Sequence, residues 1–194
     1  MSLTNYTELQ AAVADWMNRS DLTARIPDFI TLAEEKFNRR LRVRQMELAL
    51  AETAITANAV AIPATVVAVK TLWLTGYEAT PLKPQSLESV IAAGSEGVAT
   101  LYAWEGSQWR FNGSGSVLGV LYQKIPALAS SASNWLLTAH PSIYLCGALA
   151  EAGLYQRDME AASLWTQRCD SVIDEVAGNQ QRDTASGPLV ARAR

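Results

Sequence analysis

The chain has 194 residues, 49% of them hydrophobic and 18% charged, which is enough for one domain with an inserted subdomain and a substantial core. Its net charge of −3 excludes a global attraction to nucleic acid. No apolar run approaches the ~18–20 residues of a membrane span, so no membrane partner is expected.

The N-terminus, MSLTNYTELQ, has no basic stretch followed by an apolar one. No signal peptide is therefore read there, and the chain is expected to be cytosolic where it is made. Asn5 with Glu8 three residues later resembles a capping box. Tyr6, Leu9, Val13, Trp16 and Met17 then form the inner stripe of a first helix, Tyr6–Met17. A second helix, Pro27–Leu41, begins with proline in its favoured first turn. Ile26, Ile30, Ala33, Phe37 and Leu41 recur along it at spacings of three and four, and Glu35 and Arg39 form an i, i+4 pair. Lys36, Arg39, Arg40, Arg42 and Arg44 then crowd positions 36–44 with no acid among them. Three readings stand for this cluster: a solvated helix end favoured by the macrodipole, contact with an acidic partner subunit, and contact with the DNA backbone.

From about Gln45 the helical period gives way to short runs of Val, Ile, Thr and aromatic residues. Strands are predicted at Glu47–Thr56, Val66–Thr75, Tyr77–Leu82, Thr100–Trp104, Gln108–Phe111 and Val117–Gln123. Turns are predicted at Gly76, at Glu105-Gly106-Ser107 and at Asn112–Ser116. A short helix, Leu87–Ala93, follows Pro84. The region reads as one small, mostly antiparallel sheet. Pro126–Asn134 is a linker of small and polar residues, and Trp135–Thr138 is a helical turn.

The C-terminal part reads as a helical hairpin. Pro141–Tyr155 is apolar nearly all round and rich in small residues, the mark of a buried helix that others approach closely. Leu145 and Leu149 belong to its core. Asp158 is a good N-cap for a second arm to Val176, with Ala162, Trp165, Cys169, Val172 and Val176 inside and Glu160, Gln167, Asp170 and Asp174 facing away. Gly178 is the expected end of that helix. Cys146 and Cys169 fall at similar heights on the two arms, either as two small buried side chains in contact or as a disulfide. The following residues, with Leu189 and Val190 their only bulky apolar side chains, cannot bury enough to fold alone.

The fold class is thus α+β. A bundle of about four helices carries an inserted small antiparallel β subdomain and an extended C-terminal arm. The expected parts are 1–44, an N-terminal helix pair; 45–134, the β-rich insertion; 135–177, the helical hairpin; and 178–194, a flexible arm. Trp16, Phe37, Leu145, Leu149 and Trp165 are the expected bundle core.

Catalytic chemistry is not evident. His140, the one histidine, precedes a proline at a helix start and has no evident catalytic partners. No spacing matches a zinc site or a phosphate-binding loop, and Gly113-Ser-Gly-Ser opens no helix. Asp170, Asp174 and Glu175 read as a solvated face, and Trp104 and Trp109 as cross-strand packing rather than base stacking. No enzyme activity, cofactor or metal is expected.

Three segments carry a resemblance: TNYTELQAAVADWMNRSDL at the start, IPDFITLAEEKFNRRLRVRQME after it, and NWLLTAHPSIYLCGALAEAGLYQRDMEAASLWTQRCDSVIDEV beyond the β-rich insert. The most telling feature is a proline-initiated small-residue helix followed by an amphipathic helix with a central Trp. Over about residues 4–177 the chain resembles the head-to-tail adaptor (connector) proteins of tailed bacteriophages. The resemblance implies a structural protein of the virion neck, without enzyme activity. It implies a homo-oligomeric ring of about twelve copies beneath the portal protein. Such a ring gives the tail or nozzle proteins a docking platform, and genomic DNA passes through its channel with non-specific contacts. In that setting Pro188, Leu189, Val190, Arg192 and Arg194 become a portal- or neighbour-binding arm. Arg39, Arg40, Arg42 and Arg44 become candidate channel or interface charges. Two other readings stay open: another phage neck or tail-completion ring protein, and a small helical protein-interaction module.

Overall fold

The computed structural model describes residues 3–185, with side chains described through Asn179. The fold is α+β, and the chain divides into two units: residues 1–45 together with 125–194, and residues 46–124.

The first unit is helical. Helix α1 (Tyr6–Met17) starts where Asn5 Oδ1 accepts from the Glu8 amide at 2.9 Å, while the Glu8 carboxylate accepts from the Thr4 amide at 2.8 Å. Asn18, in the left-handed conformation at φ 49°, ends it. A 3-10 turn, Ser20–Arg25, leads into α2 (Ile26–Arg40), with Pro27 in its first turn. The segment expected as a plain linker contains a short helix, α4 (Leu128–Ser131), and α5 (Trp135–Ala139) follows; the label α3 belongs to Leu87–Ala92 in the second unit. Helix α6 (Pro141–Gln156) is the centre of the unit: α1, α2, α5 and α7 (Met159–Ala185) all pack against it. Ten of its residues are buried, in keeping with its lack of a polar face. Its small residues set the helix spacing. A Cβ on Gly147 would stand 2.7 Å from Phe37 Cζ, and one on Gly153 would stand 2.8 Å from the Ala162 amide nitrogen.

Two expectations for this unit are corrected. Helix α7 does not stop at Val176 but runs through Gly178 to Ala185. One glycine in a helix interior costs only ~1 kcal/mol against alanine, and the next proline is Pro188. The proposed core also changes. Phe37, Leu145 and Leu149 are buried, but Trp16 is 54% exposed and Trp165 only partly covered. The α6–α7 seam is filled by Ala162, Cys169 and Ile173, and the close approach at Gly153 leaves no room there for an indole. Trp165 lies to one side instead, edge-on to Trp16 with ring centroids 5.5 Å apart. Cys146 and Cys169 are free thiols, both buried.

The second unit holds two sheets where one was expected. Strand β7 (Ser116–Gln123) lies between β1 (Glu47–Ala54) and β3 (Val66–Leu74), antiparallel to both. The other sheet has the order β2 (Ala59–Ala61), β6 (Gln108–Phe111), β5 (Leu101–Glu105), β4 (Lys83–Pro84), with β4 and β5 parallel. The predicted strand Tyr77–Leu82 is mostly a turn: the Thr80 amide donates to Tyr77 O, and Pro81 has no amide to give to a ladder. Leu72, Leu74, Val117 and Leu121 from one sheet and Tyr102, Trp109 and Phe111 from the other share a single core. Burial alternates along β6 and β7, and one apolar face of each sheet meets the other. Trp104 and Trp109 are direct cross-strand partners, 5.8 Å apart and edge-to-face.

Candidate functional site

The basic cluster sits at the C-terminal end of α2, where positive side chains oppose the negative end of the helix dipole. Much of it is answered within the helical unit. Asp170, on α7, takes Lys36 Nζ at 2.8 Å and Arg40 Nη1 at 2.6 Å. Arg40 Nη2 reaches Asp174 at 2.7 Å. The solvated-face reading of these two aspartates is therefore corrected: they clamp α7 to α2, because residues four apart on one helix present both carboxylates to the same neighbour. Arg39 lies 3.7 Å from Glu35 on its own helix. Arg42 donates to the backbone carbonyls of Asn38 and Leu41, capping the end of α2. Arg44 is exposed and forms no ion pair among the described residues. Of the four arginines singled out from sequence, Arg44 is thus the freest to meet a partner, and Arg40 is the most committed to the fold.

A buried polar network was not anticipated from the sequence. Glu34, on the inner face of α2, is 7% exposed. Its Oε1 accepts from the Leu128 amide at 2.9 Å and from the Tyr144 hydroxyl at 3.2 Å. Asn134 Nδ2 donates to Tyr144 Oη at 2.6 Å and to Pro126 O at 2.7 Å, while its Oδ1 accepts from the Leu137 amide at 2.9 Å. These three side chains join α2, the 125–134 segment and α6. Burial raises the carboxyl of Glu34 above its ordinary range, against the lowering effect of the two hydrogen bonds it accepts. Tyr144 is raised mainly by burial, and so are Cys146 and Cys169, the latter to about 11. Thiols held protonated in this way are poor nucleophiles and poor ligands. The one clue in sequence was Asn134 itself, as an N-cap before Trp135.

The helical unit also leaves large apolar side chains uncovered. Leu154 and Tyr155 at the end of α6, and Met159 and Leu164 at the start of α7, are all exposed, Met159 to 67%. Trp16 and Trp165 flank a shallow cavity of about 200 Å³ with Leu149 and Gly153. Single exposed apolar residues are ordinary, but several gathered around one hairpin turn form a candidate docking surface. Pro188, Leu189, Val190, Arg192 and Arg194 lie outside the described residues.

Among the described residues, no cluster of three or more His, Cys, Asp or Glu side chains could hold a metal ion. No described helix is long and apolar enough to cross a membrane. The arrangement offers surfaces for packing and for charge contacts. No curated protein matches the chain. The family model of the SU10 adaptor protein matches residues 4–192, nearly the whole sequence and all the elements described above. The chain belongs to the SU10 adaptor protein family.

Proposed function

We propose that this protein is a head-to-tail adaptor of a tailed bacteriophage: copies close into a ring of about twelve beneath the portal protein, and the genome leaves through the channel. The carrying observation is the family match across residues 4–192, joined to the uncovered apolar surface at the hairpin turn. A ring gives every copy two neighbours and so covers such a surface repeatedly without an open end. In this reading the protein is structural and resides in the virion neck after assembly in the host cytoplasm. The tail or nozzle proteins dock on the face away from the portal. Arg39, Arg42 and Arg44 supply non-specific positive charge toward DNA or an acidic neighbour, and the C-terminal arm holds a neighbour or the portal.

The test is native mass measurement of the purified chain, alone and with portal protein. The expected result is a closed multi-subunit species, or one that forms on the portal. A chain that stays monomeric in the presence of portal would overturn the proposal.

A further inference from the structure

The notch between Trp16 and Trp165 has the chemistry of a cation site. Its volume of about 200 Å³ suits one long side chain rather than a free ligand, whose pockets run to ~300–1,000 Å³. The two indoles stand edge-to-face, 5.5 Å apart, and Trp16 is 54% exposed. Indole is the best aromatic surface for a cation. Met17 and Gln156, also in the lining, close the C-terminal ends of α1 and α6. The negative ends of two helix dipoles therefore converge there, and neither helix carries a basic residue in its last turn. The opposite dipole end, that of α7, is answered by its cap. Asp158 lines the notch, is exposed, and accepts from the Ala161 amide through Oδ1 at 3.0 Å. Its carboxylate forms no ion pair among the described residues. The cations nearest in the chain do not fill the notch. Arg19 meets both oxygens of Asp21 at 2.7 Å, and Arg157 is exposed and outside the lining.

The same helical unit presents a cation without an ion pair among the described residues, the exposed Arg44. The chain before it is fixed. Val43 is 1% exposed, and Arg42 is tied to the end of α2 through the carbonyls of Asn38 and Leu41. Arg44 is badly placed for the notch of its own chain. Phe29, near the start of α2, packs on Tyr155 at the end of α6 with ring centroids 5.4 Å apart, whereas Arg40, at the far end of α2, reaches Asp174. Helix α2 thus runs away from the hairpin turn alongside α7. From Ala161 in the notch to Asp174 is thirteen residues of helix, ~20 Å, and Arg44 follows Arg40 past the end of α2.

We propose that the notch between Trp16 and Trp165 receives Arg44 of a second copy of this chain, with the guanidinium over the indoles and against Asp158. This contact rests on the reading that copies assemble. A planar guanidinium stacks on aromatic rings while its stem lies on apolar surface, here Met17 and Leu149. Because the notch and the arginine sit at opposite ends of one unit, the contact is head-to-tail, the kind that repeats from copy to copy until a ring closes.

The full-length double variant Gln45→Cys/Ala161→Cys tests it. Gln45 is exposed beside Arg44 and Ala161 lines the notch, so Arg44, Asp158 and both indoles are kept. The native Cys146 and Cys169 are buried. The chain is treated with a short bis-maleimide, alone and with portal protein. The expected result is a ladder of dimers, trimers and longer species on a denaturing gel, which no chain with one of the two substitutions can give. Adding Arg44→Gln, or Asp158→Asn, which keeps a good cap, should reduce the ladder several-fold with an unchanged melting curve. Absence of the ladder under both conditions overturns the proposal. So does a ladder that survives Arg44→Gln and Asp158→Asn undiminished, which would mean that another group fills the notch. Native mass of the unsubstituted chain separates this result from the larger reading: a ring without the ladder leaves assembly intact and removes this contact. A charge-dependent ladder without a closed ring does the reverse.

Discussion

Replacing Asn134 with alanine should unlock the segment between α4 and α6. The side chain is 8% exposed and makes three hydrogen bonds, to Pro126 O, to the Tyr144 hydroxyl and from the Leu137 amide. Losing an N-cap costs ~0.5–2 kcal/mol. Pro126 is exposed, so losing the bond to its carbonyl adds only the ~0.5–1.5 kcal/mol of an ordinary hydrogen bond. Tyr144 keeps its bond to Glu34, so its share of the loss is small. The sum is roughly 1–3.5 kcal/mol, a sizeable fraction of the ~5–15 kcal/mol that a domain possesses. Tyr144→Phe removes only the hydroxyl and should cost about 1–2 kcal/mol. Because the two residues share a bond, the double variant should lose less than the sum, with a coupling of ~0.5–3 kcal/mol. The assay is urea unfolding followed by circular dichroism and by tryptophan fluorescence, since the two units need not unfold together. A loss below ~1 kcal/mol for Asn134→Ala, or strict additivity with Tyr144→Phe, would show that the network does not tie the helical unit together.

The buried carboxylate of Glu34 sets a pH dependence. Its folded pKa is raised, so the folded chain binds a proton more readily than the unfolded one. This group therefore weakens the fold as pH rises through the window between its unfolded and folded pKa, and the fold regains that stability as pH falls back through it. Glu34→Gln, which can still accept from Leu128 and Tyr144, should match or exceed the parent at neutral pH, and its advantage should shrink on acidification; a loss that grows toward neutral pH would contradict this sign. Arg40→Glu sets a third acid beside Asp170 and Asp174 and should destabilise by about 1 kcal/mol or somewhat more, whereas Arg44→Glu should leave the melting curve unchanged and act only on assembly. Equal melting curves for both would show that the α2–α7 clamp contributes nothing. Trp165→Ala should cost ~1.5–3 kcal/mol, less than the ~3–5 of a fully buried aromatic. A double-mutant cycle with Trp16→Ala should return the ~0.5–1.5 kcal/mol of an edge-to-face pair. No coupling would mean that the two rings do not pack in solution.

The sequence by itself determined the elements whose signals lie within one helical turn. Asn5 and Asp158 as caps, Pro27 and Pro141 in first turns, and the spacing of apolar residues placed the starts of the long helices to within a residue. The small residues of α6 marked it as buried, since a helix without a polar face has nowhere to expose one. Tertiary structure decided whatever depends on partners far apart in the chain. Glu34 and Tyr144 are 110 positions apart, and Arg40 and Asp174 are 134 apart. No local pattern distinguishes such a paired charge from a solvated one. The same holds for the strands: alternation makes a residue run extended, but only the pairing partners decided that β3 joins β7 and that β4 joins β5 in a second sheet. Trp16 and Trp165 show the limit most plainly. Both lie on the apolar stripe of an amphipathic helix, and their place in that pattern is no different from that of Phe37. What set them apart was the approach of α6 and α7 at Gly153, which filled the seam with alanine and cysteine and left the larger rings outside it.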